Sequence, residues 1–543
     1  MRGLMMDYPL TLPPLLDRAE QLFGYREIVT RRPDRSVHRY QIADFVDRSR
    51  RLAVALQDLG VTRGDRIATL GWNHQQHLEA YFGIPAAGAV LHTLNLRLHP
   101  DDISYIANHA GDRIILVDDT LLPLLERFHS ALSTEHIIVM SQGDKPELPR
   151  GMLDYEELLA AADPARYSPP LLQEQDAAAM CYTSGTTGMP KGVLYSHRSM
   201  VLHAMALAMA DLFAIGESTS YLPVVPMFHV NSWGTPFSCV MMGAKQVLPG
   251  LNLDPASICE LLAQENVTTT AGVPTIWLSI LEHLDENPDK YDLSALELML
   301  VGGAAAPPSM IEAFESRHGL NVVHAWGMTE TSPLGSVSHV GPHHENASAD
   351  ERLALRAKQG RMAPLVEIRA MNDGEAVPWN GTSSGELEVR GPWVASEYFD
   401  SEQGAEFFTD DGWFRTGDIV TIDSDGYIEI RDRAKDVIKS GGEWISSIAL
   451  ENALMGHPSI TEAAVIAIRH PKWIERPLAV IVTGDATPPT LAEIRTYLEP
   501  YFAAWWLPDA VEVVDQIPRT STGKFKKRDL RKQFDGYQLP ETD

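Results

Sequence analysis

Short apolar runs alternate with helical patterns along most of the chain, and this alternation limits the folds that are open to it. Residues 66–70, 89–93 and 112–117 are apolar and β-branched runs that predict strands. Residues 74–83 between them have the spacing of a helix. The same alternation continues through three later predicted strands: 245–248, 268–271 and 298–301. Strand–helix–strand alternation over several hundred residues predicts an α/β fold with layered, mostly parallel sheets.

The pattern of predicted strands and helices changes in the last third of the chain. After Gly385 the predicted strands are shorter, and the Asp425-Gly426 pair between two apolar alternations predicts a hairpin. A compact unit begins beyond residue 437, with strands predicted at 463–468, 478–483 and 510–514 and a helix at 491–501. We therefore expect a large N-terminal domain of residues 1–431, a hinge in the polar run 432–437, and a small C-terminal domain of residues 438–543.

Charge and cysteine content exclude several classes of function. Lys and Arg number 45 against 73 Asp and Glu, so the net charge is −28. Nucleic acids and anionic membranes would be repelled by such a chain, and any anionic ligand needs a local group of cations. The three cysteines form no CxxC pair, which favours a reducing cytoplasm over a disulfide scaffold. Prolines and Asp7 interrupt the apolar N-terminus, so we expect neither a signal peptide nor integral membrane association.

One glycine-rich segment, YTSGTTGMPKG at residues 182–192, is suited to binding phosphate. Its glycines allow an anion to approach the backbone, its hydroxyls and N–H groups can donate hydrogen bonds, and Lys191 adds charge. It is not the P-loop of nucleotide kinases, because Gly192 follows the lysine where that motif requires Ser or Thr. On composition alone, a mobile solvent loop is an equal alternative.

The order of residues in five segments resembles the adenylate-forming superfamily, which includes acyl-CoA synthetases, luciferases and peptide-synthetase adenylation domains. The five segments are YTSGTTGMPKGVLYSH at 182–197, AWGMTE at 325–330, WFRTGD at 413–418, DRAKDVIKSGGEW at 432–444 and PRTSTGK at 518–524. They occur in the order of the family and span nearly the whole chain. The resemblance implies a large N-terminal domain with a small β-barrel-like part, and a small, mobile α+β C-terminal domain.

Within that superfamily, the chain is most similar to medium- and long-chain fatty acyl-CoA synthetases and to methylmercaptopropionate–CoA ligases. The segments that carry this narrower similarity are PVVPMFHVN at 223–231, HAWGMTE at 324–330, IKSGGEWISS at 438–447 and HPKW at 470–473. The resemblance implies a small-molecule carboxylic acid as substrate, with ATP, Mg²⁺ and coenzyme A. The acid attacks the α-phosphate of ATP to give acyl-AMP and pyrophosphate, and the thiol of coenzyme A then displaces AMP.

The resemblance assigns a nucleotide site to residues from most of the motifs. Glu330 would hold Mg²⁺ together with a hydroxyl from Ser184 or Thr329. Trp326 would face the adenine, and Asp418 would bind the ribose. A surface glutamate, a core tryptophan and a capping aspartate are the structural alternatives. The implied ATP- and AMP-binding residues are Thr183, Ser184, Gly185, Thr186, Thr187, Gly188, Lys191, Gly302, Gly303, Ala304, His324, Ala325, Trp326, Gly327, Met328, Thr329, Asp418, Ile430 and Arg433.

The resemblance also implies a catalytic role for Lys524, whose ammonium group would contact both the carboxylate and the α-phosphate. Lys435 and Lys439 would lie near the nucleotide. A rotation about Asp432 would then bring a second loop to the adenylate for the coenzyme A step. That loop consists of Ser440, Gly441, Gly442, Glu443 and Trp444.

The acid is expected beside His229, Val230 and Trp233, where the Trp233 indole would close an apolar tunnel until ATP binds. A core tryptophan is the alternative. The chain departs from many relatives at Ala325, where glycine is common, and at Asp432, and both leave the preferred acid open. A fatty acid is the first expectation, and a three- to four-carbon thioether acid is the second.

Three further hypotheses keep other outcomes open. Transfer to a carrier-protein thiol is disfavoured by the lack of a carrier domain in this sequence, and a non-catalytic ATP-binding scaffold by the presence of Lys524 and Glu330. A luciferase-like oxygenase shares the motifs. A homodimer through the N-terminal region is a plausible assembly for such a chain.

Overall fold

The computed structural model describes residues 1, 3–143, 148–183, 189–401, 404–440, 443–484, 486–520 and 524–539. Sixteen helical segments occur in these ranges. They are α1 Pro13–Phe23, α2 Ile42–Asp58, α3 Gln75–Ala86, α4 Pro100–Ala110, α5 Leu122–Glu126, α6 Tyr155–Ala161, α7 His197–Leu207, α8 Val230–Trp233, α9 Thr235–Met242, α10 Pro255–Gln264, α11 Pro274–Glu286, α12 Pro308–His318, α13 Ala349–Ala357, α14 Ser447–Leu454, α15 Leu491–Leu498 and α16 Lys527–Gln533. Within the described part of the chain, none is both long and apolar enough to cross a membrane.

The strands of the same ranges are short and lie in four sheets. They are β1 Glu27–Arg31, β2 Val37–Gln41, β3 Arg66–Leu70, β4 Val90–Thr93, β5 Asp112–Asp118, β6 His136–Met140, β7 Leu153–Asp154, β8 Ala177–Tyr182, β9 Gly192–Ser196, β10 Ser220–Pro223, β11 Lys245–Leu248, β12 Thr269–Gly272, β13 Leu298–Val301, β14 Val322–Gly327, β15 Leu334–Val337, β16 Arg361–Met362, β17 Glu367–Asn372, β18 Glu375–Ala376, β19 Ser384–Arg390, β20 Phe414–Ile422, β21 Ile428–Arg433, β22 Ile438–Ser440, β23 Glu443–Ile445, β24 Glu462–His470, β25 Ile474–Val482 and β26 Ala510–Val513.

Two large sheets of mostly parallel strands form the N-terminal part, which confirms the predicted α/β fold. The first has seven strands in the order β7-β6-β5-β3-β4-β8-β9, and the second has nine in the order β16-β15-β14-β13-β12-β10-β11-β1-β2. Their central pairs are parallel and their antiparallel pairs lie at the edges. The central strands are almost wholly buried, as expected where helices cover both faces of a parallel sheet.

Two five-stranded sheets follow, and they differ from the first two in topology. Strands β17 to β21 form an antiparallel sheet in the order β18-β17-β19-β20-β21, and its last hairpin turns at the predicted Asp425-Gly426 pair. Strands β22 to β26 form the second sheet, in which β26 pairs in parallel with β25. The helix predicted over 491–501 ends early, at Leu498, because Pro500 has no N–H group to continue it.

The strand ends determine where a ligand can bind. Strands β10, β12, β13 and β14 run parallel side by side, so the loops after them leave the same edge of the nine-stranded sheet. The glycine-rich segment follows β8 in the seven-stranded sheet. Ligands of open α/β sheets bind outside the carboxyl ends of the strands. Many of the predicted site residues that the structure describes lie at this edge or in the segments that face it.

Candidate active site

A cavity of about 1110 Å³ lies at this edge and extends to the C-terminal part of the chain. Its volume exceeds that of a typical single-ligand pocket. Every described residue predicted to bind ATP or the acid lines it, and so do Glu330, Lys435 and Lys524. Thus the motifs converge on one cavity, although they lie more than 300 residues apart in sequence.

The described ends of the glycine-rich loop are joined to each other. Thr183 donates its N–H to the Lys191 carbonyl over 2.9 Å, and Lys191 N–H donates to Thr183 Oγ1 over 3.2 Å. The Lys191 ammonium lies 5.0 Å from the Tyr398 ring centroid and 4.7 Å from that of Phe407. Aromatic faces stabilise a cation without neutralising it. The predicted residues 184–188 lie outside the described residues.

Glu330 follows β14 in a single turn of 3₁₀ helix and lies in a buried part of the cavity wall. Tyr398 donates its hydroxyl to Glu330 Oε1 over 2.7 Å, and Ala395 N–H donates to the Glu330 carbonyl over 2.7 Å. Burial and the Glu330 charge both raise the pKa of Tyr398, so the phenol keeps its proton and remains a donor. A buried carboxylate held in this way has the oxygen chemistry that Mg²⁺ prefers.

Trp326, Asp418 and Arg433 form a connected group on another wall. Trp326 Nε1 donates to Asp418 Oδ2 over 3.0 Å, and Arg433 Nε lies 2.7 Å from Asp418 Oδ1. The Arg433 contact is an ion pair, and Asp418 Oδ1 is a buried acceptor that has no hydrogen-bond partner among the residues that the structure describes. Burying an unpaired acceptor costs free energy, so Asp418 Oδ1 is available to accept a hydrogen bond from a ligand hydroxyl.

Lys524 enters the cavity from the C-terminal part of the chain. A Cβ atom added at Gly303 would lie 3.8 Å from Lys524 Cε, so the lysine reaches the loop after β13. Burial and, to a smaller extent, the Arg433 charge lower the pKa of Lys524 to about 8, although the charges of Asp418 and Glu330 act in the opposite direction. The lysine is therefore a cation near neutral pH that loses its charge in mildly alkaline solution.

The predicted acid-binding residues lie in an unusual turn. Val230, Asn231, Ser232 and Trp233 have φ angles of 45°, 50°, 51° and 55°, so α8 is a left-handed turn. Each such residue costs about 1–2 kcal/mol relative to the right-handed form. The Cys181 thiol donates to Asn231 Oδ1 over 2.9 Å, and this buried contact holds the turn against strand β8. Strained backbone of this kind is typical of functional sites.

Gly302 and His229 lie beside this turn. A Cβ atom at Gly302 would lie 2.8 Å from the Ala325 carbonyl and 3.0 Å from the Trp233 ring, so glycine allows the indole to lie against the backbone after β13. His229 precedes the turn, and burial, together with the charges of Lys524 and Arg97, lowers its pKa to about 3. The imidazole is therefore neutral at physiological pH.

A buried charged cluster surrounds the predicted hinge at Asp432. Asp432 Oδ2 accepts from the Ser447 N–H and hydroxyl, both over 2.6 Å, and its Oδ1 accepts from Arg433 N–H over 2.8 Å. Lys527 Nζ lies 2.6 Å from both Ser447 Oγ and Glu451 Oε1. Burial opposes the charge on Lys527, but the surrounding carboxylates raise its pKa. We call these four residues, Asp432, Ser447, Glu451 and Lys527, the hinge cluster.

Part of the predicted set lies away from the cavity. Lys439 and Ser440 are on β22, and Trp444 is on β23 with 44% of its surface exposed. None of these three lines the cavity. Gly441 and Gly442 lie outside the described residues, as does the side chain of Glu443. The cavity thus holds the groups expected for acyl-adenylate formation, while β22 and β23 face elsewhere.

Several residues of the site were not predicted from the sequence. Tyr398, Phe407, Gln359 and Glu451 line the cavity although none belongs to the five segments. Gly335 packs under Trp326, where a Cβ atom would lie 2.2 Å from the indole. These residues carry no local pattern that marks them, and only the fold brings them to the motifs.

Comparison with known families identifies this arrangement. Residues 19–399 match the family described as AMP-binding enzyme, and residues 449–524 match the AMP-binding enzyme C-terminal domain. The chain belongs to the AMP-binding enzyme family. The predicted superfamily is therefore confirmed.

Curated relatives of this AMP-binding enzyme are similar over nearly the full length. A long-chain-fatty-acid–CoA ligase of Thermus thermophilus is 50% identical over 538 residues, covering 98% of this chain and 97% of the relative. A medium-chain-fatty-acid–CoA ligase of Ectopseudomonas oleovorans is 45% identical, covering 98% of both chains. A 3-methylmercaptopropionyl-CoA ligase of Ruegeria lacuscaerulensis is 44% identical, covering 98% and 99%.

Solved structures show the same fold. The anthranilate CoA ligase in complex with anthranoyl-AMP is 25% identical with a TM-score of 0.87, covering 97% of this chain and 98% of that one. The o-succinylbenzoate coenzyme A synthetase of Bacillus subtilis, in complex with ATP and magnesium ion, is 25% identical with a TM-score of 0.79, covering 96% and 99%. This AMP-binding enzyme is an ATP-dependent acid–CoA ligase that acts through an acyl-adenylate.

Proposed function

We propose that the enzyme activates a medium- or long-chain fatty acid as its acyl-adenylate and transfers the acyl group to coenzyme A. The observation that carries the proposal is that Lys524 and every described residue predicted to bind ATP or the acid line one cavity. The same cavity is also lined by an apolar group near α10 and α11, which suits an alkyl chain. That group consists of Leu253, Pro255, Pro274, Ile276 and Leu278.

In this proposal the cavity walls have separate tasks. Asp418 Oδ1 accepts from a ribose hydroxyl, Trp326 faces the adenine, and the segment from Thr183 to Lys191 binds the phosphates that leave as pyrophosphate. Lys524 donates to the carboxylate and the α-phosphate, so that two anions can approach each other. His229, Val230 and Trp233 border the acid. Trp233 lies in a strained left-handed turn, and in this proposal its indole acts as a gate to the acid site.

We propose Glu330 as the protein ligand of Mg²⁺. Its carboxylate is buried, faces the cavity and is fixed by Tyr398, and a solved relative of the same fold is in complex with ATP and magnesium ion. Bound there, the ion would neutralise phosphate charge. The predicted partner Ser184 lies outside the described residues.

The coenzyme A step requires a second arrangement in this proposal. Residues 1–431 and 438–543 would act as two domains that rotate about residues 432–437, bringing residues 440–444 to the adenylate. The position of Lys439, Ser440 and Trp444 away from the cavity supports such a rotation, because these residues cannot act on the adenylate from where they lie.

We further propose a homodimer through the N-terminal region. We also propose a reducing cytoplasmic location, which suits three buried thiols.

The acid profile tests the proposed substrate. We expect pyrophosphate release to depend on the acid, to reach its maximum at eight or more carbons, and to increase when coenzyme A is added. The measurement is release with and without coenzyme A across saturated acids from three to eighteen carbons. A maximum at three to five carbons would favour the short thioether acid, as in the similar 3-methylmercaptopropionyl-CoA ligase. Release that does not depend on any acid would contradict the proposed substrate class altogether.

Lys524 should make adenylation sensitive to alkaline pH. We expect kcat/KM for ATP to fall about tenfold per pH unit above about pH 8, because the lysine is charged below its lowered pKa of about 8 and neutral above it. The measurement is pyrophosphate release between pH 6.5 and 10 as a function of ATP. Lys524→Arg is the control, since guanidinium keeps its charge over this range. The same alkaline decrease in Lys524→Arg would assign it to another group.

A further inference from the structure

A second group of metal-ligating side chains lies outside the cavity. His343 and His344 end a short 3₁₀ turn, and Asp425 lies in the turn between β20 and β21. One ligand atom from each residue lies within 4.8 Å of the other two, and the three residues are the group with this property in the part of the chain that the structure describes. We propose that these three residues form a binding site for Zn²⁺ or a similar transition-metal ion.

The distances match a tetrahedral ion. His344 Nε2 lies 3.1 Å from Asp425 Oδ2, and His343 Nε2 lies 3.7 Å from Asp425 Oδ1. Zinc bonds of about 2.0–2.2 Å place neighbouring tetrahedral ligand atoms about 3.3–3.6 Å apart. The two separations end at different oxygens of Asp425 and lie on either side of that range, and one ligand atom from each residue lies within 4.8 Å of the other two. Water would complete the coordination, because His343 and Asp425 are exposed.

The donor set favours a metal over a simple ion pair. The two imidazole centroids are 4.1 Å apart, and each ring has a nitrogen within 4 Å of an Asp425 carboxylate oxygen. Two histidines and one carboxylate select zinc, cobalt or nickel over magnesium and calcium, which prefer oxygen ligands.

The fold holds the two halves of the site together before any ion binds. The fully buried Tyr427 accepts at its hydroxyl from Gly341 N–H over 3.0 Å and donates to the His339 carbonyl over 2.8 Å. Tyr427 is two residues after Asp425, and these bonds fix the segment before His343 to the hairpin. The Asp423 carboxylate accepts from the N–H groups of Asp425 and Tyr427, over 3.0 and 2.9 Å, and orders the turn.

Two cationic side chains lie near this site. A Cβ atom at Gly341 would lie 2.8 Å from His343 Cε1 and 3.4 Å from Arg361 Nη2, so the guanidinium is close to one of the proposed ligands. Lys358 Nζ lies 2.6 Å from Asp423 Oδ2 and is neutralised by it. Arg361 lies over the Tyr427 ring with its Cζ atom 5.3 Å from the centroid. The hairpin that carries Asp425 continues along β21 to Asp432. A bound ion would therefore join the segment after β15 to the strand that leads into the hinge, and it would stabilise the N-terminal part without contacting the cavity.

Metal titration tests this site in the full-length protein. After removal of metals with a chelator, Co²⁺ in the presence of excess Mg²⁺ should give one equivalent of visible ligand-field absorption, and Zn²⁺ should displace it. Zn²⁺ should also raise Tm by about 2–4 °C. Excess Mg²⁺ competes with Co²⁺ for carboxylate oxygens such as those of Glu330. The three cysteines are buried, so they do not contribute to the signal.

Variants identify the ligands. His344→Ala and Asp425→Asn should each abolish the absorption and the Tm shift while pyrophosphate release stays at the level of the original protein. His99→Ala is the matched control, because it removes an exposed histidine that lies 3.4 Å from Asp101 with no third ligand in the described residues. It should retain both signals. Equal Co²⁺ absorption in His344→Ala, or no saturable binding by the original protein, would overturn the proposal.

Discussion

Replacing Lys524 by alanine is expected to lower the rate of acyl-adenylate formation about 10³-fold while sparing the second half-reaction. Removing one preorganised donor from a reacting anion costs up to about this factor. The lysine reaches the loop after β13, and its charge is held near Arg433, Asp418 and Glu330. Thioester formation from acyl-AMP needs no new contact between carboxylate and α-phosphate. The measurement compares pyrophosphate release from ATP with acyl-CoA formation from supplied acyl-AMP.

Lys526→Ala is the matched control for this experiment. Lys526 lies two residues further along the chain and pairs with Asp529 over 2.8 Å, and it does not line the cavity. Its removal should change neither half-reaction by more than about twofold, because exposed ion pairs contribute little. If Lys524→Ala slowed both half-reactions equally, the lysine would have the same role in both steps and the proposed domain rotation would be wrong.

The strands of the nucleotide site could be predicted because their signal is local. Strands β3, β11 and β13 have the bounds that their apolar runs indicate. The residues after β13 and β14 then follow from topology, since neighbouring parallel strands end at the same edge. Resemblance assigned Glu330, Asp418 and Lys524, and all three line one cavity. Their chemical roles stay predictions.

Other parts of the site depend on contacts that no local pattern encodes. The left-handed turn at Val230–Trp233 is held by Cys181, fifty residues earlier, and by the space left at Gly302. Tyr398 reaches Glu330 from the connection between β19 and β20. The location of Trp444 depends on how β22 and β23 face the N-terminal part, which motif order does not determine. Tertiary packing decides these features, so sequence reasoning could not give them.

A substitution in the hinge cluster should have a large effect on both stability and adenylation. We expect Lys527→Met to destabilise the protein by about 3–5 kcal/mol, because Glu451 and Asp432 would remain buried without a cation. It should also lower adenylation by at least tenfold, since Lys527 lies three residues after Lys524 and fixes that segment to Ser447. The measurements are urea unfolding and pyrophosphate release.

Removing the charge of Glu451 as well shows whether Lys527→Met destabilises the protein through an unpaired buried carboxylate or through lost packing. Glu451 is buried, and burial raises its pKa to about 7 although Lys527 opposes this shift. In the double variant Lys527→Met with Glu451→Gln, no unpaired glutamate remains, so about half or more of the lost stability should return. Adenylation should stay low, because the contact from residue 527 to Ser447 is still missing.

Lys532→Met, in the last turn of the same helix α16, is the control and should change neither stability nor adenylation. If stability stayed as low in the double variant as in Lys527→Met, the cluster would act through packing, and its charges would have no part in holding Lys524 in the cavity.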